Sequence, residues 1–308
     1  MSRINSRAEM EAFVRSAELG SFSAAARELG QTPSAISKFV KRLEQRLGVR
    51  LLQRTTRNLS LTPEGAQLLR RLRGILDEME TAESEIAGSD EPRGRLQMIV
   101  GVGFGMRQFL PVLPGFRARC PQVQVDLRIE DRVADLVREG LDLAVSILPL
   151  HDPSLAVRKL CDVRRVICAS PAYLASHGMP RTPIELQSHN CITIQGVASA
   201  SAWPFNGEER RIQVRGSITV NNVAALLHLA IAGEGIVRLN EMVAGEALRN
   251  GLLVPVLRSA YDGERAALTA AFPEGRDKVP RVRAMLDFLQ EKFRRPPWRN
   301  LPSSAGRR

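Results

Sequence analysis

The segment TPSAISKFVKRLEQRLG, Thr32 to Gly48, constrains the fold more tightly than any other part of this 308-residue chain. At about 100° per residue, Ile36, Phe39, Val40, Leu43 and Leu47 gather into one stripe, while Ser34, Lys38, Lys41 and Gln45 gather opposite it. Thr32 stands where a helix is capped and Pro33 at the first helical position, where its missing N–H costs nothing. Just upstream, Gly30 closes a shorter helical stretch, AAAREL, which Ser23 is placed to cap. Two short helices joined this closely must cross steeply, a geometry that lets the second project into a DNA major groove. Its outward stripe holds no acid and opens with short hydroxyl side chains. It is either an ordinary solvated face or a surface for a polyanion.

The flanking residues narrow that choice. Ser6-Arg7-Ala8-Glu9 reads as a capping box, followed at helical spacing by Met10, Phe13, Val14 and Ala17 until Gly20 supplies a stop. Downstream, VRLLQRTTRNLSL (49–61) places two apolar runs around Arg54-Thr55-Thr56-Arg57-Asn58. This predicts a β-hairpin whose basic, hydroxyl-rich tip suits phosphate or minor-groove contact. The formal net charge is +11, which points to a polyanionic partner. Residues 1–60 carry eleven Arg and Lys against five Glu, whereas residues 61–90 carry three Arg against seven acids. A basic head is followed by an acidic segment.

Thr62-Pro63 repeats the cap-then-proline signal and opens a long helix expected to run to about Ala87, before Gly88-Ser89-Asp90. Along it Leu68, Leu72, Ile75, Met79, Ala82 and Ile86 are spaced 4, 3, 4, 3, 4, a heptad seam that packs either on a partner helix or on the chain's own domain.

From Arg93 onward strands and helices alternate. RLQMIVGV, QVQVDLRI and DLAVSI read as strands, with helices near 107–120 and at ADLVREG. A second set follows: VRRVICAS, a helix from Pro171, CITIQ, RIQVRGSITV, a helix from about Asn222 to Ala232, and the strand after Gly235. AALTAAF and a last helix around Val282, Met285, Leu289 and Phe293 return to the first set. Such alternation implies a largely parallel sheet wrapped by helices, in two lobes crossed twice by the chain.

At this point the residues resemble a known family. SFSAAARELGQTPSAISKFVKRLEQRLGVRLLQRTTRNLSLTPEG is similar, without gaps, to the winged helix-turn-helix of LysR-type transcriptional regulators. RGRLQ, LVREGLDLAV, ASPAYLASHG and GEGIV resemble that family's effector domain, which is similar to periplasmic solute-binding proteins. The resemblance implies an α/β multidomain protein: an N-terminal winged helix-turn-helix at 1–62, a long linker helix for dimerisation at 63–89, and a two-lobed α/β effector domain at 90–295. Lobe I is expected at about 90–162 and 269–295, lobe II at about 163–268, with a disordered basic tail at 296–308. It further implies contacts to double-stranded DNA from Thr32, Pro33, Ser34, Ser37, Lys38, Lys41, Arg42, Arg54, Thr55 and Arg57, and self-association as a homodimer or a dimer of dimers. A small-molecule effector is expected at Gly103, Phe104, Gly105, Met106, Ser146, Ile147, Gln195, Gly196, Val197, Asn221 and Asn222. RNA polymerase is an implied partner, and no cofactor or metal is implied. Gly103 and Ser146 offer a carboxylate little to bind, which favours a less charged or bulkier ligand. Alternatively, Gly103 and Gly105 serve only a tight turn.

Other functions fit less well. Ser188-His189-Asn190-Cys191 sets nucleophiles beside a histidine, but adjacent strand residues point to opposite faces and a dyad needs hydrogen-bond reach. GVGFG lacks the third glycine and the acid of a dinucleotide fingerprint. The four cysteines, Cys120, Cys161, Cys168 and Cys191, form no CxxC, which leaves buried thiols or a redox pair of Cys161 with Cys168. No run approaches the ~20 apolar residues of a membrane helix, and the first residues lack an apolar signal-peptide core, so a cytoplasmic, nucleoid-associated protein is expected. A sequence-indifferent chromosome-coating protein would explain the charge but leave the two lobes without a purpose.

Overall fold

The computed structural model describes residues 6–54, 59–86, 91–148, 152–195, 200–206, 211–261, 263 and 265–299. The chain forms two compact units, divided near Glu91 and Pro92.

In the first unit, α1 (Ser6–Leu19), α2 (Phe22–Glu28) and α3 (Pro33–Leu47) precede a hairpin of β1 (Leu52–Arg54) and β2 (Leu59–Leu61), and α4 (Pro63–Ile86) follows. α3 starts as its sequence dictates: Thr32 Oγ1 accepts the Ala35 N–H at 3.2 Å, Pro33 is the first helical residue, and Gly48 ends the helix at φ 71°. α2 starts earlier than expected, because Ser21 rather than Ser23 caps it, accepting the Ala24 N–H at 3.3 Å. Phe22 thereby becomes helical and packs on the core of Ala12, Phe13, Ala25, Ile36, Val40 and Leu43. At the start of α4, Thr62 Oγ1 accepts the Gly65 N–H at 2.9 Å and donates to Arg50 O at 2.8 Å, tying helix to hairpin. Gly65 is required there, since a Cβ would lie 2.0 Å from Leu51 O.

In the second unit, β3 (Gly94–Val100) leads into α5 (Val102–Phe104), a π turn (Gly105–Phe109) and α6 (Leu110–Arg119). Then come β4 (Val123–Ile129), α7 (Leu136–Glu139), β5 (Leu143–Ser146), the 15-residue β6 (Leu155–Ala169) and α8 (Pro171–His177). Four two-residue strands follow: β7 (Thr193–Ile194), β8 (Ala202–Trp203), β9 (Ile212–Gln213) and β10 (Thr219–Val220). α9 (Val223–Ala232), β11 (Val237–Asn240), α10 (Glu241–Arg249), β12 (Val254–Pro255), β13 (Arg265–Pro273) and α11 (Pro280–Phe293) complete it. RIQVRGSITV is therefore not one strand. It breaks at Gly216, where a Cβ would meet Cys191 O at 2.2 Å.

The main sheet has the order β11-β6-β13-β5-β3-β4 and is mixed rather than largely parallel. Only β3 with β4 and β3 with β5 run parallel; β13 is antiparallel to both β5 and β6, and β11 to β6. The reason is that β6 and β13 are the two crossings themselves, paired from Arg265↔Arg164 to Pro273↔Leu155. Two long strands that leave one lobe and return to it must run in opposite directions. Their register shifts between Leu268 and Thr269, a bulge that bends the ladder. β13 adds Thr269 to Ala271 to β5, and β6 adds Arg165 to Cys168 to β11, one lobe on each side of the bulge.

Lobe I closes on aromatics: Phe104 meets Phe293 edge-on at 4.9 Å and Phe116 meets Phe288 at 5.5 Å. The first residues of the expected disordered tail are structured instead. Pro297–Arg299 forms a 3₁₀ turn and Trp298 is buried, its ring 5.9 Å from that of Phe293; an indole of this size gains more from the core than its ordering costs. Among the described residues no helix is long and apolar enough to cross a membrane.

Candidate functional site

α3 turns Ile36, Val40 and Leu43 inward and leaves Thr32, Pro33, Ser34, Lys38, Lys41 and Arg42 exposed, with Ser37 half-buried. The hydroxyls of Thr32 and Ser34 lie 3.1 Å apart at its amino end. Each of the five Glu in residues 1–60 is engaged elsewhere. Glu11 meets Arg7, Glu28 meets Arg15, and Glu18 meets both Arg15 and Arg73 at 2.8 Å. Glu9, expected in a capping box, is buried and faces Arg46 at 3.4 Å. The remaining acid, Glu44 of α3 itself, turns toward the hairpin, where Oε1 accepts the N–H groups of Leu51 (2.8 Å) and Leu52 (3.1 Å). Such pairs add little stability at a surface, but they remove negative charge from one face. Among the described residues Lys38, Lys41 and Arg42 form no ion pair. The result is a convex helix presenting three cations and short hydroxyls, which suits phosphate and base edges.

The hairpin stands beside α3 with the register Leu52↔Leu61 to Arg54↔Leu59. Thr55 and Arg57, at its expected tip, lie outside the described residues, and only the backbone of Arg54 is described. Between the carboxyl end of α3 and the hairpin is an open cavity of about 650 Å³, lined by Phe22, Lys41, Glu44, Gln45, Val49 and Arg50 among others.

The heptad positions of α4 do not share one environment. Leu72 is buried in the head's own core and Leu68 packs against it, whereas Ile75 and Met79 are 45% and 37% exposed. Ala82 and Ile86 lie in the last turns of the helix. A short four-helix head needs an apolar lid, and the first half of α4 provides it.

In the second unit the ends of β3 and β5 and the start of α5 face α9 and α10. Gly103 is buried, and a Cβ there would lie 2.6 Å from Val243 Cγ2 and 3.0 Å from Val223 Cγ1. Gly105 is equally confined: a Cβ there would lie 2.7 Å from Val100 Cγ2. The Phe104 ring belongs to the lobe I core, so this residue presents only backbone to the cleft; Met106 is 53% exposed. Ser146 Oγ accepts the Leu148 N–H at 2.9 Å, and Ile147 is half-buried beside it. Gln195 is exposed and its N–H donates to Val220 O at 2.7 Å. Asn222 caps α9, its Oδ1 accepting the Ala225 N–H at 2.9 Å while Nδ2 reaches Asn221 Oδ1 at 3.3 Å. Gly196 and Val197 lie outside the described residues.

Three contacts invisible in the sequence tie the lobes together. Arg107 meets Glu246 at 2.8 Å, Gln108 Nε2 donates to Met242 O at 2.6 Å, and Asp131 reaches the Val223 N–H at 3.4 Å. No periodicity or motif marks them, because each joins residues about 90 to 140 positions apart. At the carboxyl ends of β3, β4 and β5, lobe I has a space of about 10 Å³ lined by its own Gly101, Glu130, Arg132, Val133 and Ser146 among others.

The catalytic alternative meets side chains already in structural use. Ser188 Oγ donates to Glu185 O at 2.7 Å, His189 Nδ1 lies 3.2 Å from the Tyr173 hydroxyl, and buried Cys191 points its thiol at Leu186 O. Burial, with His177 nearby, lowers the His189 pKa, and burial pushes the Cys191 thiol up to about 12. Cys161 and Cys168 sit seven residues apart on the extended strand β6, about 23 Å along it. That is far beyond disulfide reach, so the redox pair is excluded. Among the described residues no group of His, Cys, Asp and Glu could hold a metal.

Comparison with known proteins agrees with this architecture. Residues 8–66 match the family described as bacterial regulatory helix-turn-helix protein, lysR family, and residues 89–294 match the LysR substrate binding domain. The chain is 38% identical over 293 residues to the probable HTH-type transcriptional regulator LtrA of Klebsiella pneumoniae, covering 92% of this chain and 93% of that one. It is 35% identical to the HTH-type transcriptional regulator CrgA of Neisseria meningitidis, over 92% and 96% of the two chains. The solved structure of the Neisseria meningitidis CrgA superposes with a TM-score of 0.63 at 34% identity, over 92% of this chain and 97% of that one. A full-length OxyR variant from Pseudomonas aeruginosa shares the fold, with a TM-score of 0.71 at 17% identity over 98% and 99% of the chains. With its helix-turn-helix head and its substrate-binding domain both matched in order, this chain belongs to the LysR family of transcriptional regulators.

Proposed function

We propose that the protein reads an interrupted inverted-repeat operator as a homodimer or a dimer of dimers, with α3 of each protomer in a major groove and the hairpin against the backbone or minor groove. The observation that carries this reading is the uncompensated face of Lys38, Lys41 and Arg42 beside the Thr32 and Ser34 hydroxyls, from which every acid of the head is turned away. Thr32, Pro33, Ser34 and Ser37 are assigned to the bases, and Lys38, Lys41, Arg42, Arg54, Thr55 and Arg57 to phosphates or guanine. The exposed Ile75 and Met79, continued by Ala82 and Ile86, form the partner-facing part of α4.

A small molecule between the lobes then shifts the placement of paired heads by favouring one state of the assembly. In this reading the protein works in the cytoplasm on the nucleoid, meets RNA polymerase there and has no enzymatic activity. Titration of operator and random duplexes at several salt concentrations tests it. Specific binding should exceed random binding by roughly a thousandfold or more. Lys38→Ala and Lys41→Ala should each weaken binding on all sequences and flatten the salt slope by about one, while Ser34→Ala and Ser37→Ala should change which operators are preferred. Binding of random and operator duplexes within a few-fold would instead identify a coating protein, and lysine variants with unchanged affinity and slope would place the DNA elsewhere.

A further inference from the structure

The chain does not end with α11 but turns back onto the lobes. The Arg294 N–H donates to Gln290 O at 3.0 Å, and Pro296 and Pro297 then fix the backbone of a short, stiff arm. Arg294, Arg295 and Pro297 are exposed, whereas Pro296 is buried and Trp298 is only 1% exposed. What the arm carries inward is the indole.

That indole stands between the lobes. On one side its ring lies 5.9 Å from that of Phe293, which meets Phe104 edge-on at 4.9 Å in lobe I. On the other side the turn Pro297–Arg299 packs on α10 of lobe II. They meet at Gly245, buried inside α10, where a Cβ would lie 3.5 Å from Trp298 Cβ and 3.8 Å from Trp298 O. Glycine weakens a helix interior, but here it lets the turn come close to the helix. The same helix meets α5 and the π turn through Val243 against Gly103, Met242 with Gln108 and Glu246 with Arg107. Lobe I thus grips α10 with two segments far apart in sequence. The second grip is incompletely satisfied, because Trp298 Nε1 is buried with no acceptor among the described residues. A buried donor left unpaired favours return to water, so ring packing holds this contact against an opposing cost.

We propose that Trp298 and its turn form an interlobe clasp. Closed, it holds α10 of lobe II on lobe I; released, it lets α10 lift and the cleft open. Trp298 is a positioning residue that acts through α10. Its link to an effector rests on reading the cleft as the effector site, whereas the clasp itself does not.

A thiol placed on α10 reads the lift. Val243, 2% exposed and packed on Gly103, is changed to Cys in the full-length protein, and N-ethylmaleimide labelling is followed site by site by peptide mass. The native Cys168 and Cys191, both 0% exposed, report on unfolding of lobe II as a whole. Trp298→Ala should speed labelling at position 243 by roughly tenfold or more, while Cys168 and Cys191 keep their rates. Trp298→Phe retains a ring against Phe293 and should stay within about threefold of the parent. Gly245→Leu drives the turn off from the other side with the indole intact, so one poorly folding variant does not remove the test. It should match Trp298→Ala, and combining the two should add nothing further, since both remove one contact. Unchanged labelling at position 243 in Trp298→Ala and Gly245→Leu overturns the clasp, as does an equal rise at Cys168 and Cys191, which would make Trp298 a core residue only. Operator titration of the same variants reports on DNA reading separately: its failure would leave the labelling result standing, and the reverse.

Discussion

Glu44 offers a direct check on how the head orients its reading helix. Its Oε1 is the shared acceptor for the amides of Leu51 and Leu52, at 2.8 and 3.1 Å, on residues only 1% and 7% exposed. In Glu44→Ala both amides lose a charged acceptor at positions where water has limited access. A buried amide left without a partner costs about 1–3 kcal/mol, and since the two share one oxygen the combined loss is about 2–4 kcal/mol. At 1.4 kcal/mol per decade, local opening of the strand junction should become roughly 30- to 1000-fold more frequent. Hydrogen–deuterium exchange reads that opening directly. Protection should fall by this factor at Leu51 and Leu52, while the amides inside α1, α2 and α6 keep theirs. Glu44→Gln retains a neutral acceptor and should lose less than about tenfold. Unchanged protection at Leu51 and Leu52 in Glu44→Ala would refute the tether and, with it, the explanation for the acid-free outward face of α3.

Two further outcomes follow from the packing. Ile75→Asp and Met79→Asp should shift sedimentation from dimer to monomer while the head stays folded, whereas Leu72→Ala should destabilise the head itself by about 2–5 kcal/mol, seen by denaturant unfolding; a head equally indifferent to all three would break the division of the seam. Burial raises the thiols of Cys168 and Cys191 to about 12, so at pH 8 both stay protonated and should resist Ellman's reagent until denaturant is added; rapid labelling of either in the native protein contradicts their placement.

The sequence makes some of this legible and hides the rest for identifiable reasons. Local signals are readable: Thr32-Pro33 and Thr62-Pro63 each specify a helix start by cap chemistry within four residues, and both helices begin there. The cap expected at Ser23 is displaced to Ser21 because the two serines are chemically equal, and only the burial of Phe22 against the core decides between them. The heptad of α4 differs for another reason. Spacing reports that Leu68, Leu72, Ile75 and Met79 share a stripe but not what the stripe meets, and the head covers its first half. Sheet direction is hidden as well: alternation of strands and helices describes β3, β4 and β5, yet it cannot show that β6 and β13 run the length of both lobes as an antiparallel pair.

The same distinction between local and distant causes separates the two functional surfaces. The reading face of α3 is written in one contiguous stretch, although its electrostatic purity depends on acids being tied down by Arg7, Arg15, Arg46 and Arg73 across the head. The cleft has no contiguous record at all. Its closing contacts join Asp131 to Val223, Arg107 to Glu246 and Gln108 to Met242, and Gly103 is a glycine because of Val243, 140 positions downstream. The head is therefore legible in one short stretch, whereas the cleft is shaped by side chains that only the folded chain brings together.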